Sequence, residues 1–214
     1  MLTDGDCSVR MIRRRDAHEL HGLLSANRTW LEPWEATYPS QRASVQPSLA
    51  DIRASIRVLR RQARAGSTVP CVIEWRGRMV GQLNVSSVAR GSLSSAVIGY
   101  WIAEDAAGQG LTTRAVALIT DWCFSSFGLH RMEICVRPEN AASQRVVQKL
   151  GFRFEGLRRR FIHINGAWAD HFCYALVREE VPEGVLSRFQ SGRAPQQNAQ
   201  VPDDVRAQAK RPLL

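Results

Sequence analysis

Two glycines stand where a β-prone run gives way to a helical one. Val97, Ile98, Tyr100, Trp101 and Ile102 lead into Gly108-Gln109-Gly110, and Ala115, Leu118, Ile119, Trp122 and Phe127 follow at roughly helical spacing. A glycine turn lets the backbone approach a ligand closely. The first N–H groups of the helix behind it lack internal partners and lie at the positive end of its dipole. That pairing suits phosphate oxygens, although a glycine turn before an ordinary core helix is the simpler alternative. The spacing matches neither of two well-known phosphate loops: no third glycine completes a dinucleotide fingerprint, and no Gly-Lys-Ser/Thr closes a P-loop. The five cysteines (Cys7, Cys71, Cys123, Cys135, Cys173) never stand as C-x-x-C, so neither a disulfide framework nor a zinc site is expected. Cys135 falls in the strand that follows the glycine turn and its helix. No histidine or acid is spaced to activate it, and it reads as a small core residue.

The neighbouring elements can be read along the chain. Val9 to Ile12 reads as a strand, followed by a helix from about Asp16 to Asn27 with Asp16 as its cap. A Trp-Glu loop runs to Pro39, and a polar, mobile stretch runs to Pro47. An arginine-rich helix starts near Ser48, with Asp51 three residues later, and stops before Gly66. Val69–Trp75 and Met79–Val88 read as strands joined at Arg76-Gly77-Arg78, and Leu93–Ile102 as a third. Arg131–Val136 is a strand and Asn140–Leu150 a helix. Phe152–Ile164 and Trp168–Val177 form a hairpin at Asn165-Gly166. Beyond Glu180, Pro182, Gly184, Ser191-Gly192, Pro195 and Pro202 break the periodicity; a short helix near Val185–Phe189 fits, and the rest reads as a mobile tail.

The stretch from Gly99 to Gly151 resembles the acetyl-CoA site of the GNAT acetyltransferases. That family's loop, Arg/Gln-x-x-Gly-x-Gly/Ala, falls on Ala107, Gly110 and Thr112, of which only Gly110 matches strictly. Asn140-Ala-Ala-Ser143 and Leu150-Gly-Phe-Arg-Phe-Glu155-Gly156 resemble the family's Asn-x-x-Ser helix and the turn after it. Asn27-Arg28-Thr-Trp30-Leu31-Glu-Pro33-Trp34-Glu35 is similar to a signature of the Rim branch, which acetylates the N-terminal amine of ribosomal proteins.

The resemblance implies an α/β (α+β) GNAT fold over residues 1–180 as a single domain. Its central sheet is mixed, mostly antiparallel, of about seven strands, with helices on both faces; residues 181–214 form a Pro/Gln-rich tail. Acetyl-CoA is implied as co-substrate, with no metal. The backbone at Tyr100, Trp101 and Ile102 would bind the pantetheine arm, one amide polarising the thioester. Gly108, Gln109, Gly110, Leu111, Thr112 and Thr113 would wrap the pyrophosphate, and Asn140 would bond the arm. Ser143 would protonate the leaving thiolate, with Tyr174 as the alternative; Asn140 and Ser143 also suit helix capping. An N-terminal amine has a pKa of ~8, so a carboxylate suffices as its base. Glu35 is the first choice for base or amine recognition, and Asp170 the second.

The resulting function is acetyl transfer to the N-terminal alanine or serine of a ribosomal protein. The alternatives are a GNAT acting on an aminoglycoside or polyamine, and a noncatalytic ribosome- or RNA-associated protein. The 214 residues are 44% hydrophobic and 23% charged, as in a soluble globular protein. No apolar run approaches the ~20 residues that span a bilayer, so a cytoplasmic chain with no membrane contact is expected. The net charge of +9 favours polyanionic partners: coenzyme A, RNA or a ribosomal particle. Arg53, Arg57, Arg60, Arg61 and Arg64 recur along one helix. A solvated face over a packed stripe of Ile52, Ile56 and Leu59 is the simpler reading, since the helix lacks aromatics for stacking.

Overall fold

The computed structural model describes residues 1–40 and 46–209; the polar stretch expected before Pro47 falls in part on residues 41–45, outside the described residues. Strands β1 (Leu2–Asp4) and β2 (Cys7–Met11) lead to helix α1 (Ala17–Ala26), the single turn α2 (Arg28–Leu31) and α3 (Leu49–Arg64). Next come β3 (Val69–Trp75), β4 (Arg78–Ala89), β5 (Ser95–Ile102), α4 (Leu111–Ser125), β6 (Arg131–Val136) and α5 (Ala141–Leu150). The hairpin of β7 (Arg153–Ile164) and β8 (Ala167–Val177) follows, and α6 (Val185–Gln190) and α7 (Asp203–Gln208) end the described chain.

The strands form one eight-stranded sheet in the order β1-β2-β3-β4-β5-β6-β8-β7, and among its pairings β5–β6 alone is parallel. The strand beyond the expected seven is β1, three residues folded back on β2, too short to show an alternation in sequence. Both predicted hairpins close through two residues of positive φ, Arg76-Gly77 (52° and 78°) and Asn165-Gly166 (43° and 88°). Such turns match the right-handed twist of the strands they join. The Ser48–Asp51 box also forms: Ser48 Oγ accepts from the Asp51 N–H at 3.2 Å, and Asp51 accepts from the Ser48 N–H at 2.9 Å. Asp16 stands at the N-cap of α1, but its side chain makes no capping bond to the helix. Its carboxylate instead accepts from the Arg13 N–H and the Arg10 guanidinium, each at 2.7 Å, and closes the turn ahead of the helix.

Apolar layers cover both faces of the sheet. On one, Leu20 of α1 and Ile52 and Ile56 of α3 pack with Val72 and Met79; on the other, α4 and α5 pack with Cys71, Ile73, Leu83 and Ile134. The split between Val72 and its neighbours Cys71 and Ile73 is the strand alternation itself.

The expected mobile tail is corrected over its described part. Val185, Ala199 and Val201 are buried within the α4–α5 layer, and Asp121 of α4 accepts from the Val185 and Leu186 N–H groups at 2.6 and 3.0 Å. Arg188, 5% exposed, donates to the Leu150 carbonyl at 2.5 Å and the Glu180 carbonyl at 2.9 Å. Prolines and glycines break the periodicity of this segment, yet Val185, Ala199 and Val201 between them find places in the core.

Candidate active site

The parallel pairing of β5 with β6 runs only from Ser95↔Arg131 to Val97↔Glu133, while β5 continues to Ile102 and β6 to Val136. The strands therefore part beyond Val97. The Ala103 N–H donates to the Val80 carbonyl at 2.8 Å, toward β4. Alternation along an antiparallel ladder then turns the main-chain groups of Tyr100 and Ile102 the other way, into the opening. The Ile102 carbonyl accepts there from Trp30 Nε1 at 3.0 Å, which leaves the Tyr100 N–H and C=O for a ligand. A cavity of about 390 Å³ occupies the opening, with Tyr100, Ser143, Asn140, Trp34, Glu35 and Cys135 among its walls.

Behind β5 the chain turns through Gly108 (φ 77°) and Gly110 (φ 74°), and Gly110 stands at the N-cap of α4 with no side chain capping the helix. Leu111 and Thr113 are buried, so this turn offers a ligand its backbone N–H groups rather than those side chains. Free N–H groups at the head of a 15-residue helix fit a pyrophosphate. The departures at Ala107 and Thr112 leave those donors intact.

Ser143 lies in the first turn of α5. Asn140 Oδ1 accepts from the Ser143 N–H at 2.9 Å, so the asparagine caps the helix through its oxygen and keeps its amide nitrogen for a ligand. Ser143 Oγ is 2.6 Å from the Tyr100 hydroxyl. Burial pushes the Tyr100 phenol well above its ordinary value, so it stays a proton donor at neutral pH. This hydroxyl pair was not legible in sequence. Tyr100 stood out for its backbone, and nothing local tied it to a serine 43 residues away.

The Asn27–Glu35 segment forms the opposite wall, and its residues are tied down one by one. Asn27 Oδ1 accepts from the Glu104 N–H at 2.8 Å, and Leu31 is buried. The Arg137 guanidinium donates to the Pro33 carbonyl at 2.8 Å and lies 5.6 Å from the centre of the Trp34 ring. Arg28 forms an ion pair with Glu35. Thr37 then joins β7 through His163: its N–H donates to the His163 carbonyl at 2.9 Å, and its hydroxyl lies 2.8 Å from Nδ1. Arg28 and Arg137 were not foreseen as site residues, although Arg28 sits inside the signature.

Tyr100, Trp101, Asn140, Ser143 and Glu35 thus meet at one cavity, whereas Ile102 and Gly108–Thr113 are not among its walls. Two candidates go elsewhere. Tyr174 is 1% exposed and packs edge-on to Phe154 in the core, where burial pushes its phenol up to about 12. Asp170 accepts from the Arg160 N–H at 2.7 Å and pairs with Arg159 at 2.9 Å within the β7–β8 hairpin. The Cys135 thiol, 3.2 Å from Cys173 Sγ, is raised by that contact and by burial, against any role as a nucleophile. His171 also borders the cavity. Its Nδ1–H donates to the Ala169 carbonyl at 3.0 Å, and burial lowers its pKa, so a neutral ring with a free Nε2 lone pair results. Among the described residues, no group of three or more His, Cys, Asp or Glu side chains is set to hold a metal ion. No helix among them is long and apolar enough to cross a membrane.

Comparison with known proteins agrees with this geometry. The model of the acetyltransferase (GNAT) domain matches residues 8–153. The chain is 31% identical over 180 residues to a probable N-acetyltransferase, YjcK, of Bacillus subtilis, covering 84% of this chain and 98% of that one. It is 29% identical over 187 residues to the [ribosomal protein uS5]-alanine N-acetyltransferase of Escherichia coli, covering 86% and 93%. Among solved structures, Mycobacterium smegmatis RimJ in complex with CoA-disulfide superposes with a TM-score of 0.83 at 39% identity, covering 87% of this chain and 90% of that one. The splayed strands, the glycine turn at the head of α4 and the Asn140–Ser143 helix are thus those of a GNAT acetyltransferase, and the chain belongs to that family as an acetyl-CoA-dependent acyltransferase.

Proposed function

We propose that the protein acetylates the N-terminal α-amine of a ribosomal protein, at alanine or serine, in the cytoplasm. The observation that carries this reading is the Asn27–Glu35 wall: the signature segment is fixed against the strand of Tyr100 and presents Trp34 and Glu35, the latter paired with Arg28, to the cavity that Tyr100 and Ser143 share. The nature of the relatives supports it, since one that covers most of the chain acts on an alanine of ribosomal protein uS5.

Acetyl-CoA supplies the activated acetyl group. The main chain of Tyr100 and the amide nitrogen of Asn140 hold the pantetheine arm, and the N–H groups of residues 111–113 take the pyrophosphate. Holding both reactants in one cavity removes much of the entropic cost of the encounter. An α-amine with a pKa of ~8 is partly neutral at cytosolic pH, and Glu35 accepts its proton or orients it. The Ser143 hydroxyl donates to the departing thiolate, Tyr100 replaces that proton through the bond between them, and the proton that the amine gives up returns through solvent to Tyr100, so that amide, CoA thiol and the starting enzyme result. Among the described residues lining the cavity, Glu35 is the sole carboxylate, and it is already paired with Arg28. That charge balance disfavours a polycationic aminoglycoside or polyamine.

Incubation with total ribosomal proteins and isotope-labelled acetyl-CoA, followed by mass spectrometry, tests the proposal. Label on the α-amine of one protein beginning with alanine or serine is expected. Label on lysine side chains, or turnover with small amines alone, would overturn it.

A further inference from the structure

We propose that the arginine flank of α3, together with the adjoining turn at Arg13–Asp16, binds the phosphate backbone of double-stranded RNA. The proposal does not depend on the identity of the acetyl acceptor.

At 100° per residue, Arg53, Arg57, Arg60, Arg61 and Arg64 fall within an arc of about 100°, beside the face that buries Ile52 and Ile56. Two contacts fix which way this flank looks. Arg60 Nη1 donates to the Ile12 carbonyl at 2.8 Å, and Arg53 Nη2 lies 3.2 Å from His18 Nε2. Both partners border Arg13-Arg14-Arg15, so two segments distant in sequence form a single basic surface.

Arg13, Arg14, Arg15, Arg53, Arg57, Arg61 and Arg64 are all exposed, and among the described residues none of these seven guanidinium groups is in an ion pair. Elsewhere arginines are mostly matched by acids: Arg10 with Asp16, Arg76 with Asp6, Arg78 with Asp105, Arg114 with Asp4, Arg131 with Glu155. The positive excess of the chain therefore gathers here. Arg53, Arg57 and Arg61 follow one another at i,i+4, a like-charge arrangement that weakens a helix unless an anion covers it.

The partner follows from what the surface has and lacks. Guanidinium forks match phosphate oxygens, and Arg53 to Arg64 spans about 16 Å of helix axis, enough to meet several phosphates. Neither α3 nor the Arg13–Asp16 turn carries an aromatic residue, so unpaired bases find no stacking platform. A duplex shows its phosphates and 2′-hydroxyls and needs no such platform.

The test is fluorescence anisotropy with an RNA duplex of about 20 base pairs, long enough to cover the flank, at several salt concentrations. Binding by the parent should weaken steeply with salt. Arg57→Gln/Arg61→Gln should lower affinity about tenfold and reduce the log–log salt slope by about 2, one for each lost phosphate contact. Arg76→Gln/Arg78→Gln, on the ion-paired β3–β4 hairpin, should bind as the parent does. The first variant should melt no lower than the parent, because its like charges are relieved; if it fails to fold, Arg13→Gln/Arg14→Gln probes the same surface. Absence of duplex binding at low salt, equal loss in the hairpin control, or tighter binding to a single strand or to phosphatidylserine vesicles than to the duplex would each overturn the proposal.

Discussion

On the proposed cofactor side the groups offered to a ligand are mostly main chain: the N–H and C=O of Tyr100 at the cavity and, outside its walls, the first turn of α4 behind Gly110. On the proposed acceptor side they are side chains, Glu35 and Trp34 among them, on a loop held by Arg137, Trp30 and Thr37. Main-chain donors survive most substitutions, and so the departures at Ala107 and Thr112 are compatible with a cofactor site. A wall of side chains can be rebuilt residue by residue, and the proposed function places acceptor choice there. Substitutions in the two walls should therefore separate cleanly in kinetics.

The largest effect is expected behind the cofactor wall. Arg188→Ala deletes a buried cation that two carbonyls accept from, one of them at the end of α5. A loss of about 2–4 kcal/mol, or about 4–16 °C in Tm for a chain of this size, is expected. Thermal unfolding measures it, and kcat at low temperature should be intact. Gly110→Val acts on the proposed cofactor side itself. It asks a β-branched residue to hold φ 74° in an exposed turn where no heavy atom lies within 4 Å of a new Cβ. The strain of about 1–2 kcal/mol should leave the protein folded while the KM for acetyl-CoA rises about tenfold and that for the acceptor does not. An unchanged acetyl-CoA KM would remove the phosphates from this turn.

Arg137→Ala should do the reverse. Without its bond to Pro33 and its contact with Trp34, the acceptor loop loosens, and acceptor KM should rise about three- to tenfold at constant acetyl-CoA KM. The smallest effect lies outside both walls. Glu155 is held near a pKa of about 2, first by its hydrogen bond to Arg131 and then by Arg153. Its folded pKa lies below that of the unfolded chain, so its stabilisation is present above about pH 4.3 and is lost as pH falls through 2. Glu155→Gln should lower Tm at pH 7, by a margin that shrinks steadily below pH 4.3.

What the sequence made legible follows the same division. The strands, the glycine turn and the α5 cap are local devices: Gly110 at a helix head, Asn140 three residues before Ser143, and Asn165-Gly166 between alternating runs. Each needs only its neighbours, and each lies where its spacing put it. Leu150-Gly151 was legible as a helix stop. The reason a side chain is excluded at Gly151 was not, because the atom that a Cβ would meet at 2.6 Å belongs to Pro195. Beyond Glu180 the short helix near Val185–Phe189 was legible, and the packing of the segment was not, for the same reason. Val185, Arg188, Ala199 and Val201 are spaced without period, and their partners lie in α4, α5 and the sheet. The Tyr100–Ser143 contact is likewise long-range, and no pattern along the chain could announce it.

A double-mutant cycle at Tyr100 and Ser143 tests the proposed chemistry most directly. Single-turnover acetyl transfer would be measured for the parent, Ser143→Ala, Tyr100→Phe and the double variant, all at saturating acetyl-CoA. If the two hydroxyls deliver one proton to the leaving thiolate, each single change should slow transfer about ten- to a hundredfold, or 1.4 to 2.7 kcal/mol, and the double should be no slower than the worse single. Rates that multiply in the double variant, or a Tyr100→Phe enzyme as fast as the parent, would contradict the account.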